Sequence, residues 1–372
     1  MRKLFLLLSL CLALPNKAEN PLKIKLRSRA LLDASISDYN KDEIQGFYKL
    51  EDFRIGFKAQ YQQYSLTADV GLTDKKVNIK DFLLRYQYKH HTFAIGNGYD
   101  PFAMDVLIST PDMRFHQTAA SAMAFCDSRK VGFTYSFSNP SLYAATGVFT
   151  DSDINHLGKE ENSNALLSTS RVVWRKRTDE RLFHLGTAFS IQTPPANKET
   201  TYAGSFSSKG VTSLFNETML NAEIPGIRQK MRGVAEFLFT NQKWLFQGEY
   251  FYNRVHYRKD GAKAVYNPFG GYVQTSFLAI GEGFQYDAAN ALAGRPASDK
   301  ALELVARYNY TQMNRSGIMG GEEHDLSIGA NFYLNKYLGI KLNGSYVWTG
   351  EHCNNFYQKD FFLVQARLQY VF

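Results

Sequence analysis

Long hydrophobic runs are missing from this chain of 372 residues. Beyond the N-terminal stretch 4–14, no segment stays apolar for even half of the roughly 20 residues that a spanning helix needs, and the mean hydropathy is −0.33. A helical membrane protein is excluded. Also absent are a linker, a Pro/Ser tract or a charge block at which some 350 residues could be divided. That length is large for one soluble core. No P-loop, dinucleotide fingerprint, zinc spacing or nucleophile elbow occurs, so no metal or cofactor is expected. Among the eight histidines, His90 and His91 read as turn residues, His184 as inward on a strand, and His116 and His156 as loop residues.

What the chain does have is alternation. In the last ten residues, Val364, Ala366, Leu368, Tyr370 and Phe372 share one face, and Leu363, Gln365, Arg367, Gln369 and Val371 share the other. Side chains of a strand point to opposite faces with a period of two. One wall of this strand is greasy and the other mostly wet. Ending on such a strand, with Tyr370 and Phe372, is the pattern of a barrel assembly signal. At the other end, Arg2 and Lys3 precede the apolar run 4–14, and Ala18 offers a cleavage site. That is a secretory signal peptide over 1–18, leaving 19–372 as one domain. Cys11 sits badly for a lipid anchor, because Leu10 is bulky and the apolar run continues past it. Export leaves Cys126 and Cys353, both in expected outer loops; a disulfide between them and two separate thiols both remain open.

Counting two-residue alternation gives sixteen strands, near 22–34, 51–60, 62–72, 79–88, 91–97, 130–138, 141–150, 164–176, 181–191, 230–240, 242–256, 270–280, 301–312, 323–334, 337–349 and 360–372. Aromatics make up 15% of the chain, with 23 Tyr and 28 Phe, which suits strands and interfacial girdles. Tight links (60–61, 89–90, 139–140, 177–180, 240–241, 335–336) alternate with long ones (35–50, 73–78, 98–129, 151–163, 192–229, 257–269, 313–322, 350–359). Short turns on one side and long loops on the other are the plan of an outer-membrane β-barrel with its turns in the periplasm. The link 281–299 breaks that rule. It either folds inward or hides a further strand pair. A β-sandwich also alternates, but its strands are usually shorter and need no terminal Phe. The expected fold is therefore all-β: a transmembrane antiparallel barrel of about sixteen strands.

The wording at 92–132 and from 232 onward resembles the phosphate-selective porins O and P. The residues that carry it are Gly96-Asn97-Gly98-Tyr99-Asp100-Pro101-Phe102, Ser109, Arg129-Lys130-Val131-Gly132, Ala235-Glu236, Gln247-Gly248-Glu249-Tyr250, Gly270-Gly271-Tyr272-Val273-Gln274, residues 302–308 and Leu334-Asn335. The resemblance implies a homotrimer of sixteen-stranded channels in the outer membrane of a Gram-negative bacterium. It also implies a third loop, 98–129, folded inward as a constriction holding Asp100, Asp105, Asp112, Arg114 and Arg129. Tyr99 stands where family members usually carry Lys. With several Asp against few cations in the loop, the constriction need not select phosphate.

Charge placement carries the functional reading. The chain holds 43 Lys and Arg against 35 Asp and Glu, and removing the leader leaves 40 against 35. Wet-phase cations gather on adjoining strands: Lys23, Lys25, Arg27 and Arg29, then Arg54 and Lys58, then Lys341 and Arg367 across the closure. Arg85, Arg171 and Arg175 join from elsewhere. Across the barrel, Glu236, Glu249 and Glu303 lie beside Arg232 and Arg307. A charge-lined passage with low-dielectric walls concentrates counter-ions, and rings of Arg and Lys select anions. The reading is a water-filled pore for small hydrophilic solutes, anions preferred, without covalent chemistry. Its partners are outer-membrane lipid, the barrel assembly machinery and small anionic solutes; nucleic acid is not among them. An envelope barrel enzyme and a loop-mediated adhesin are the alternatives.

Overall fold

The computed structural model describes residues 21–39, 44–73, 76–157, 165–195, 202–215, 217–356 and 359–372. The expected leader over 1–18 lies outside them. In chain order the strands are β1 (Lys23–Ser37), β2 (Gln45–Tyr61), β3 (Tyr64–Thr73), β4 (Lys76–Tyr88), β5 (His91–Gly98), β6 (Lys130–Ser138), β7 (Leu142–Thr150), β8 (Leu166–Arg177) and β9 (Leu182–Thr193). There follow β10 (Gly204–Ser208), β11 (Leu220–Ile224), β12 (Ile227–Thr240), β13 (Trp244–Lys259), β14 (Ala262–Tyr266), β15 (Phe269–Ile280), β16 (Phe284–Asp287) and β17 (Leu292–Pro296). The last are β18 (Ala301–Arg315), β19 (Ile318–Tyr333), β20 (Leu338–Thr349) and β21 (Phe361–Val371).

Every neighbouring pair is antiparallel, and β1 pairs with both β2 and β21, from Arg29↔Val371 to Ser37↔Leu363. The sheet closes on itself and leaves no edge. β14 and β15 both pair with β13 and are one strand interrupted at Asn267-Pro268, so the barrel has sixteen staves. The small hairpins β10–β11 and β16–β17 stand outside the ladder.

The sixteen alternating segments are these staves. β8 shows why: Leu166, Val172 and Trp174 are exposed, whereas Leu167, Thr169, Arg171, Val173 and Arg175 are buried. The same phase puts Ile55, Tyr250, Tyr252, Ile328, Leu342, Trp348, Leu368 and Phe372 on the outside. Apolar side chains outside and Arg, Asn and Gln inside invert a soluble protein. That inversion is stable only if the outer surface meets hydrocarbon.

Two links read as long loops are instead tall hairpins. β13 runs into β14 through Asp260-Gly261 (φ 50° and 80°), and β18 into β19 through Ser316-Gly317 (φ 51° and 77°). Positive φ at both central residues is the tight hairpin turn whose twist matches its strands. The irregular link 281–299 does both things its length allowed. It forms the β16–β17 pair, and that pair folds across the short-turn mouth: the Ser138 hydroxyl donates to Ala288 O at 2.7 Å, and Arg295 to Lys336 O at 3.0 Å. At the opposite mouth, β10–β11 packs inward on the 99–129 loop, with Phe206 edge-on to Phe125 at 5.4 Å.

Candidate functional site

Residues 99–129 lie inside the barrel and divide it lengthwise. They form two short helices, α1 (Met104–Leu107) and α2 (Ala120–Phe125), joined by a 3-10 turn at Thr110–Asp112. The loop is fastened to one half of the wall. The Met104 and Asp105 amides donate to the two carboxylate oxygens of Glu249 on β13, at 2.6 and 3.0 Å. The Ser121 amide and hydroxyl both donate to Asn309 Oδ1 on β18, at 3.0 and 2.7 Å. Lys341 donates to the carbonyls of Pro111 and Met113. Arg367 donates to His116 O at 2.9 Å while holding Asp33 at 2.6 Å. Arg307 donates to Gln117 O at 3.0 Å and lies over the Phe115 ring at 4.4 Å.

The other half of the barrel stays open. A lumen of about 2520 Å³ is lined chiefly by β1–β7, the free face of the loop and the β16–β17 hairpin. The eleven cations expected on one wall therefore divide. Lys25, Arg27, Arg29, Arg54, Lys58 and Arg85 line the lumen. Lys23, opposite Gln60 on the overhanging end of β1, is exposed at the short-turn lip. Arg171, Arg175, Lys341 and Arg367 do not line it; they are at most 3% exposed. Arg171 pairs with Glu236 at 3.0 Å and donates to the carbonyls of Asn290 and Ala291, both at 2.9 Å. Arg175 donates to Ala288 O at 2.7 Å. These four are clamps on the inserted segments, because a buried Arg or Lys must satisfy its donors and loop carbonyls are what it meets.

The constriction set divides likewise. Asp112 and Arg129 face the lumen. Asp100 and Asp105 are turned away: Asp100 accepts from Thr169 at 2.8 Å and pairs with Arg232 at 3.3 Å, and Asp105 accepts from the Ala119 amide at 2.8 Å. Arg114, 2% exposed, pairs with Glu303 at 3.3 Å. Asp127 lines the lumen but is held by Arg232 at 3.0 Å and Lys230 at 3.2 Å. Asp100 and Asp127 are thus held by cations and Asp105 by an amide, while Asp112, facing the lumen, lies 3.8 Å from Arg295 of the inserted hairpin. At Tyr99, Arg129 lies over the ring at 4.4 Å and donates to its hydroxyl at 3.0 Å.

Sequence reasoning missed part of the screening. Asp52 shares the wet face of β2 with Arg54, and it binds Arg29 at 2.7 Å and Arg54 at 2.8 Å. Asp69 meets Arg27 at 3.3 Å, and Asp81 meets Arg129 at 2.7 Å. A bulge sets Lys80 and Asp81 together opposite Asp69, turning both toward the lumen. In all, eleven Lys and Arg line the lumen against seven Asp and Glu. Lys25, Lys58, Lys80 and Arg85 have no ion-pair partner among the described residues; Arg85 donates only to the Thr67 hydroxyl, at 3.3 Å.

Cys126 and Cys353 are both free thiols, so the bridge left open by the sequence is not formed. Cys353 donates to Glu322 O at 2.8 Å, and burial pushes its thiol up to about 12. His184 lies between Glu236 (3.0 Å) and the Tyr286 hydroxyl (3.2 Å) as part of the wall.

The model of the family described as phosphate-selective porin O and P matches residues 40–372. The chain belongs to that family. Among solved structures, an anion-selective porin from Comamonas acidovorans superposes with a TM-score of 0.60 at 8% identity, covering 95% of this chain and 100% of that one. OmpT of Vibrio cholerae gives 0.60 at 10% identity, over 96% and 100%. A trimer form of that OmpT gives 0.58 at 9%, over 94% and 99%. At such identities the likeness is one of fold. A curated relative, an uncharacterized protein of Caulobacter vibrioides, is 23% identical over 272 residues; the match takes in 68% of this chain and 53% of the relative, so the chain spans about half the relative's length. Family and fold place the barrel in the outer membrane of a Gram-negative bacterium, with the short turns at the periplasmic face.

Proposed function

We propose that this family member is a porin that passes small hydrophilic anions down their gradients, without chemistry of its own. The observation that carries the reading is a pair of like charges. Lys25 and Lys58 stand directly opposite each other on β1 and β2, both lining the lumen, with no acid between them. Like charges directly opposite destabilise a sheet; they are explained if their partner is a mobile anion. Arg29 and Arg54 form the next such pair upward, bridged by Asp52. Arg forks suit oxyanions, yet the passage does not require phosphate in preference to other small anions. Assembly as a homotrimer, like the trimer form of the structural neighbour, goes with this reading.

The expected size of the preference follows from the lumen. Four excess positive charges in 2520 Å³ amount to about 2.6 M of fixed charge, so electroneutrality in 1 M salt gives about nine anions per cation. Neutralising three of the four unpaired cations as K25Q/K58Q/R85Q leaves one excess charge and lowers that ratio to about two. Reversal potentials in a salt gradient across planar bilayers read the change. A ratio that stays where it was in the triple variant would overturn the proposal.

A further inference from the structure

The outer surface of the barrel carries a basic patch that the pore does not use. On β13 the exposed phase runs Trp244, Phe246, Tyr250, Tyr252 and then changes character at Arg254, His256 and Arg258. Lys263 on β14 is directly opposite Arg258, so both point the same way. From β18, Arg315 lies over the outward ring of Phe269 at 4.9 Å. Four permanent cations thus gather on adjacent staves just above an outward band of Tyr250, Tyr252 and Tyr308.

Three features make this more than a solvated edge. Among the described residues no ion pair holds Arg254, Arg258, Lys263 or Arg315. The Arg258–Lys263 pair sets like charges across a ladder, which costs stability unless an anion lies between them, and the buried Arg258 Nε has no hydrogen-bond partner. Finally, the patch is local: on staves away from it the outward long-loop ends expose apolar side chains, among them Ile36, Tyr48, Val77, Trp348 and Phe362, and the outward acid beside it, Glu322 on β19, is engaged by the Tyr310 hydroxyl at 3.0 Å and by His324 at 3.7 Å.

We infer that Arg254, Arg258, Lys263 and Arg315 bind the phosphate groups of phosphorylated lipid headgroups in the outer leaflet. The aromatic band marks the boundary with hydrocarbon, so the patch stands at headgroup height. The cations there match a diffuse or bidentate phosphate as basic residues at a membrane surface do. This rests on the reading of the long-loop end as the outer face, but not on anion conduction. None of the four residues lines the lumen.

The test is binding of lipid A carrying both phosphates to the purified full chain in neutral detergent, with the dephosphorylated lipid as control. Each cation removed is expected to weaken binding about fivefold, and R254A/R258A/K263A about a hundredfold, with channel conductance and ion selectivity unchanged. Should the triple variant fail to assemble, Lys263→Ala on the exposed hairpin gives the single-step loss. Equal binding by the triple variant, equal binding of the dephosphorylated lipid, or inorganic phosphate binding as tightly as the lipid would each overturn the assignment. A barrel that binds the lipid in this way but shows no anion preference would leave this inference standing and remove only the porin reading.

Discussion

Arg114→Leu should loosen the constriction. Its guanidinium joins three parts of the molecule: Nε donates to Ser276 Oγ on β15 at 3.0 Å, the same group pairs with Glu303 on β18 at 3.3 Å, and another nitrogen donates to Gly294 O on the inserted hairpin at 2.9 Å. Both charges are essentially buried. Removing one partner of a buried pair costs about 3–5 kcal/mol, because the other is left uncompensated. Glu303 would keep only Asn331 and the Tyr333 hydroxyl, at 3.1 and 3.0 Å. The released Gly294 carbonyl adds about 1 kcal/mol. Heat-modifiable mobility in detergent gels should show a lowered midpoint, and single-channel records of the same preparation should show a larger, noisier conductance. Neutralising the orphaned carboxylate in R114L/E303Q should recover most of the midpoint but not the conductance. If R114L matches the native midpoint and conductance, the loop is not held in this way.

Three further outcomes follow from the same geometry. Gly96 has φ +135°, and a Cβ there would stand 2.0 Å from Phe82 O, so Gly96→Ala should cost at least about 1–3 kcal/mol and cut the yield of assembled barrel. Replacing 284–296 with a short turn should widen the periplasmic mouth and raise conductance; an unchanged value would mean that the hairpin does not limit flow. Phe372 pairs through its backbone with Ser28 at 2.9 and 3.0 Å. Deleting it should reduce assembly in cells far more than refolding in detergent micelles, and equal losses would refute a signalling role for the terminal residue.

The staves were legible because one face of each must satisfy hydrocarbon, which writes a period of two into the sequence. Where that demand ends, so does the signal. The strand expected near 242–256 in fact continues through Tyr257, Arg258 and Lys259 above the aromatic band, where greasy alternation no longer marks it. The turn pairs Asp260-Gly261 and Ser316-Gly317 were the signal that would have extended these strands. Inward phase was also readable, but it says only that a side chain enters the barrel. Whether Lys58 meets water while Lys341 meets the carbonyls of Pro111 and Met113 depends on where the 99–129 loop, more than 200 residues from Lys341 in sequence, comes to rest. Asp52 could have been read beside Arg54; the Lys80–Asp81 bulge could not, since it is a property of strand pairing.

The central claim is that the open half of this barrel is a net cationic passage. Its most direct measurement is the reversal potential of the native channel under a tenfold potassium chloride gradient. The account predicts a potential set by chloride, and a potential of the opposite sign, set by potassium, would contradict it.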